Sequence, residues 1–133
     1  MNHKIMWTTY ISNPQSIKSI FGSIPDLSSI ELMEIILRQG EQVDLRFNVI
    51  PYPDKPPTKW KEYNTVQVIL SLFLVENFQL HNWQDPIKGI CTVTKNSDAK
   101  IDFKFQSKGC TFICQTAAML VQKISAYHDT RRK

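Results

Sequence analysis

The sequence predicts a mostly β domain: a twisted antiparallel sheet of about seven or eight strands, sandwich-like or half-barrel, with a short N-terminal helix packed on it. Three observations lead there. Val43, Leu45, Phe47 and Val49 alternate with Asp44, Arg46 and Asn48, the period-two pattern of a strand with one buried face. Turn signals recur through the second half, at Asn96-Ser97-Asp98 and at Lys108-Gly109, between runs of apolar and β-branched residues. Aromatic residues reach 11%, a share that favours strands. With 133 residues, 42% hydrophobic and 21% charged, the chain suits a single domain over 1–133 that needs no metal or disulfide staple.

Taken in order, 13–21 reads as the helix. Asn13 suits its N-cap, Pro14 its first position and Gly22 its end, with Ile17, Ile20 and Phe21 on one face. The run 30–38 is apolar on both parities, so its pairing with 43–49 must be argued. A three-residue turn at Gln39-Gly40-Glu41 places Met33, Ile35 and Leu37 with the buried set and Glu34 opposite Arg46. A two-residue turn would instead bury Glu34 beside Leu45, at the cost of an unpaired buried carboxylate.

Four prolines exclude 51–63 from any central strand. A strand follows at 65–75, apolar on both faces, and Glu76-Asn77 reads as a tight turn into 78–83. In the hairpins beyond, pairing across Lys108-Gly109 sets Phe105 opposite Phe112 and Phe103 opposite Cys114. Pairing across Asn96-Ser97-Asp98 sets Cys91 opposite Phe103. The segment 117–127 fits helical spacing slightly better than strand alternation, and 128–133 reads as a solvated, flexible tail.

The ionisable residues assemble into no familiar chemistry. The charge of +4 is spread along the chain, without the basic stripe of a nucleic-acid binder. No apolar run is long enough to span a membrane. The start, Met1 to Trp7, lacks the apolar core of a signal peptide, and three sparse cysteines suit a reducing, cytoplasmic setting. Cys110 and Cys114, on one strand, stand about 13 Å apart, too far for a disulfide or shared metal. No catalytic, cofactor-binding or metal-ligating set emerges, and no cofactor is implied. His81, between Gln79 and Trp83, is simplest as a surface histidine on a solvated strand face.

The proline-rich loop carries what functional signal there is. Each proline in Pro51-Tyr52-Pro53-Asp54-Lys55-Pro56-Pro57 stiffens the backbone, so Tyr52, Asp54, Lys55, Trp60 and Tyr63 would lose little entropy on contacting a partner. Together with His81 they form the candidate partner-binding set. For Trp60, the simpler reading is a cap over the sheet end.

Trp7, Asn13-Pro14, Ile20-Phe21-Gly22, Pro25-Asp26-Leu27, Leu45-Arg46-Phe47 and Pro56-Pro57 stand in that order. Lys59-Trp60, 64–68 (Asn-Thr-Val-Gln-Val), Trp83, Gly109-Cys110 and 124–127 (Ile-Ser-Ala-Tyr) follow them. This ordered set resembles the immunity protein 50 family of bacterial polymorphic toxin systems. The resemblance implies a mostly β domain that binds and neutralises a cognate toxin protein by occlusion, without catalysis; the edge strands allow a monomer or a weak homodimer. It also implies a strand over 117–127. Two other readings are a small-ligand-binding β module, expected to hold a large apolar cavity, and a hydrolase or isomerase using His81.

Overall fold

The computed structural model describes residues 10–13, 15, 17, 27, 29–50, 52–53, 56–83 and 87–131. Eight strands follow in chain order: β1 (Ile30–Arg38), β2 (Gln42–Val49), β3 (Thr65–Phe73), β4 (Glu76–His81), β5 (Ile87–Lys95), β6 (Ile101–Gln106), β7 (Thr111–Thr116) and β8 (Ala118–Tyr127). They make one open antiparallel sheet in the order β4-β7-β6-β5-β1-β2-β3-β8. Its two halves join where Ile30–Leu32 of β1 pair with Ile87–Gly89 of β5.

The chain also joins the halves at two other places. β3 lies in one half and runs into β4, the edge of the other, while β7 runs into β8, the opposite edge. The β3–β8 ladder therefore turns a corner and continues as the β4–β7 ladder. At the corner the Phe73 carbonyl accepts the Ala117 N–H at 3.0 Å and lies 2.7 Å from the fully buried Thr116 hydroxyl. Leu74 turns the chain there with φ of 53°, and the Val75 N–H donates to Glu41 O at 2.8 Å in the β1–β2 turn. Strands that bend from one layer to another make such corners in β-sandwiches.

The core lies between the halves. From one come Ile30, Leu32, Leu45, Phe47, Val68, Leu70 and Leu72; from the other come Phe103, Phe105 and Phe112. Phe112 contacts Phe78 and Phe103 with ring centroids 5.1 and 5.9 Å away, tilted pairings that aromatic quadrupoles favour.

Most registers follow the alternation read from the sequence. Arg38 faces Gln42 across the three-residue turn, and Glu34 faces Arg46, with Nε 3.1 Å from the carboxylate. Phe105 faces Phe112 and Phe103 faces Cys114, as the Lys108-Gly109 turn requires. Residues 118–127 are a strand, as the family resemblance implies and the local spacing did not.

Four details differ. A bulge between Leu32 and Glu34 brings Leu32, not Met33, opposite Phe47. Leu37, at the far end of β1, is 66% exposed: β5 pairs with β1 only at Ile30–Leu32 and leaves this end without a strand on that side. Cys91 pairs with Phe105 rather than Phe103: Ala99 takes φ of 61° and lengthens the turn, shifting the register by two residues. Glu76 and Asn77 form no hairpin turn; they belong to β4, where Asn77, at φ of 53°, makes a bulge beside the corner.

The expected helix over 13–21 lies mostly outside the described residues. A 3-10 turn stands at Thr58–Trp60, and Ile17 is fully buried. Asn13 reaches the β8 edge, donating to Val121 O at 2.8 Å and accepting the Val121 N–H at 3.0 Å. Ser12 N–H also bonds Met119 O at 2.9 Å, so this segment covers part of an otherwise open strand edge.

Gly89 sits where β5 passes from β1 to β6. A β-carbon there would stand 2.6 Å from Gln106 O and 2.6 Å from Phe105 Cζ, so glycine leaves room for the aromatic ring. Gly89→Ala is expected to lower unfolding stability by about 2 kcal/mol through overpacking, read from urea denaturation midpoints.

Candidate functional site

The proline-rich loop closes on itself. Tyr52 donates its hydroxyl to Trp60 O at 2.9 Å, and Trp60, at the end of the 3-10 turn, is only 5% exposed. Burial, with the nearby Tyr63 phenol adding to it, raises the Tyr52 pKa above its ordinary value. Trp60 therefore caps the end of the sheet, while Tyr63 is 41% exposed beside it. Asp54 and Lys55 lie outside the described residues. His81 is exposed at the end of β4, in the other half of the sheet. The structure thus brings Tyr52, Trp60 and Tyr63 together and leaves His81 apart from them.

The outer face of β1-β2-β3-β8 carries a polar network that the sequence did not announce. Asp44 is 4% exposed and accepts Gln42 Nε2 at 2.9 Å, the Ser71 hydroxyl at 2.7 Å, and the Arg38 guanidinium. Burial pushes its pKa up, but those three hydrogen bonds and the Arg38 charge together hold the carboxyl below its ordinary range. Nearby, Asn48 donates to Glu31 Oε1 at 2.9 Å, and Arg131 grips both Glu31 oxygens at 2.8 and 3.1 Å.

Arg131 also binds Asp129 at 2.6 Å, and Asn64 holds the Asp129 backbone through bonds of 2.7 and 3.0 Å. Residues 128–131 are therefore docked on the sheet instead of trailing into solvent; 132–133 lie outside the described residues. The hydrogen bonds to Asp129 and Glu31 raise the Arg131 pKa and keep it charged. A bidentate guanidinium–carboxylate geometry of this kind is what fixes such a segment in place.

The outer face of β5-β6-β7-β4 differs in composition. Cross-strand rows read Ile90–Gln106–Thr111–His81 and Thr92–Lys104–Ile113–Gln79. A third row holds Asp102, whose Oδ1 accepts Asn96 Nδ2 at 3.2 Å and Gln115 Nε2 at 3.1 Å; Asn77 Nδ2 donates onward to Gln115 at 2.8 Å. A shallow depression of about 440 Å³ opens on this face, with Asn77, Gln79, Lys104, Ile113 and Gln115 around it.

The thiols are buried or half-buried and form no disulfide among the described residues. Burial raises the Cys91 thiol well above its ordinary value, and burial plus the Asp102 charge push Cys114 up to about 12. Neither is poised as a nucleophile. Among the described residues, no cluster of histidine, cysteine and carboxylate groups stands ready for a metal, and no helix is long and apolar enough to cross a membrane.

What these features define is an antiparallel β scaffold whose notable chemistry lies on its outer faces. The chain belongs to the immunity protein 50 family, whose model matches residues 13–127. No curated protein and no solved structure matches it.

Two outcomes are expected. Because its folded pKa is lowered, Asp44 contributes stability that is fully present above the ordinary value of 3.8 and is lost as pH falls through the lower folded value. Asp44→Asn should therefore flatten the acid limb of a plot of urea midpoint against pH; an unchanged limb would contradict the network. In thiol titration at mild alkaline pH, Cys91 and Cys114 should stay unreactive in the native protein and react at once in guanidinium.

Proposed function

We infer that this protein is an immunity protein: it binds a cognate bacterial toxin and neutralises it by occlusion, catalysing nothing itself. Its membership of the immunity family over residues 13–127 carries this reading. The surface is consistent with it. Guanidinium–carboxylate pairs brace one outer face and stiffen the scaffold, and a stiff scaffold loses little freedom on meeting a partner. The thiols held far from ionisation also fit a protein that works by contact rather than by covalent chemistry.

On this reading the partner is a toxin protein, not nucleic acid or membrane, and the two meet in the cytoplasm, with the immunity protein acting as a monomer or weak homodimer. Of the residues expected to touch the toxin, Tyr63 and His81 are exposed and available. Trp60 contributes by holding the loop against the sheet end, and Tyr52 by bracing Trp60.

Co-expression with the product of the adjacent upstream gene tests this directly. Growth arrest by that product alone, rescue by this protein, and co-purification of the two are the expected results. Rescue without a complex would contradict occlusion, and a harmless neighbour that forms no complex would contradict the immunity reading.

A further inference from the structure

The charged side chains fall into two populations. The described arginines, Arg38, Arg46 and Arg131, are all ion-paired to carboxylates of the fold: Asp44, Glu34, Glu31 and Asp129. Of the described lysines, Lys100 pairs with Glu76, while Lys59, Lys61, Lys88, Lys95, Lys104, Lys108 and Lys123 have no carboxylate within ion-pair distance. The deep carboxylates of the β1-β2 half, Glu31 and Asp44, are thus neutralised internally, and the unpaired lysines outnumber the described carboxylates without an ion pair, Glu41, Glu62, Asp98 and Asp102. An ion pair already made inside the fold offers a partner little, whereas an unpaired exposed lysine steers and selects.

These lysines meet a suitable surface in one place. On the outer face of β5-β6-β7-β4, Lys104 flanks the depression together with Gln79 and Ile113, and Lys108 stands in the adjoining β6–β7 turn. His81 and the 53%-exposed Ile90 lie at the two ends of the neighbouring row. The amides of Gln79, Asn77 and Gln115 rim the hollow. Its one carboxylate, Asp102, already accepts from Asn96 and Gln115. The remaining chemistry is an apolar floor with amide and ammonium donors around it, which suits a protruding acidic side chain.

Resting on the immunity reading, we propose that this face is the toxin-binding surface and that it takes an acidic patch of the toxin. Lys104 and Lys108 supply the complementary charge, and Ile113 and Ile90 the apolar contact. The chain's net charge of +4 then reflects its partner and not a nucleic-acid ligand.

The test measures binding of purified toxin to the full-length protein at low and high salt. Lys104→Glu/Lys108→Glu is expected to weaken binding by on the order of tenfold or more, mainly through slower association, and to flatten the salt dependence. Lys123→Glu, on the opposite face, is expected to bind as wild type. Urea midpoints equal to wild type establish that each variant is folded, and glutamate-to-lysine changes on the toxin should restore the double variant. If the double variant binds normally while the Lys123 variant weakens, the assignment of this face is overturned and the immunity reading survives. Toxin that fails to bind the wild-type protein overturns both.

Discussion

Residues 65–81 and 111–127 form one antiparallel ribbon that turns a corner without breaking, and the other strands are arranged around it. Each edge of the sheet is the continuation of an inner strand of the opposite half. Neither half can pull away without disturbing hydrogen bonds at the corner, where the Phe73 carbonyl receives the Ala117 N–H and faces the buried Thr116 hydroxyl. That carbonyl would otherwise be unpaired at the bend, and leaving a buried polar group unsatisfied costs on the order of 1–3 kcal/mol. The phenylalanine cluster depends on the same corner, because Phe78 and Phe112 come from the two arms of the ribbon just past it.

This construction leaves two outer faces with different chemistry. On the β1-β2-β3-β8 face, carboxylates too deep for solvent are matched by arginines, whose planar fork can satisfy two acceptors at once. On the β5-β6-β7-β4 face, threonine, glutamine and lysine alternate above the core, and lysine's hydrated ammonium needs no fixed partner. The arginine-paired carboxylates thereby gather on the first face, while the unpaired Lys104 and Lys108 stand on or beside the second. The closing hold of Arg131 on Glu31 and Asp129 belongs to the first kind, linking the end of the described chain to the first strand.

Much of this architecture was legible in the residues. The alternation from Val43 to Val49, the Lys108-Gly109 turn and the cost of burying Glu34 determined pairings that the structure bears out. The failures have local causes. A bulge at Met33 and a left-handed Ala99 each move a register, and no propensity foretells an alanine at φ of 61°. At the corner Glu76-Asn77 has the composition of a tight turn; only pairing with residues 111–118 shows the chain carrying on. The Glu31–Arg131 bond spans 100 residues, beyond any local pattern, so local composition reads this docked segment as a tail. Trp60 behaved as a sheet-end cap because the Tyr52 hydroxyl reaches its carbonyl. The lysine-bearing face escaped notice because its residues are spaced as any solvated strand face would be. What distinguishes it is the pairing of the arginines elsewhere, which needs the fold to be seen.

The central claim is that this scaffold meets its toxin through the β5-β6-β7-β4 face. Backbone amide chemical shifts of the labelled protein, recorded before and after addition of unlabelled toxin, test it most directly. The account expects the perturbed amides to map to β4, β6 and β7 and to the turn bearing Lys108, with β2 and β3 unchanged. Perturbations centred on 42–49 and 118–127, or none at all with toxin in excess, would contradict it.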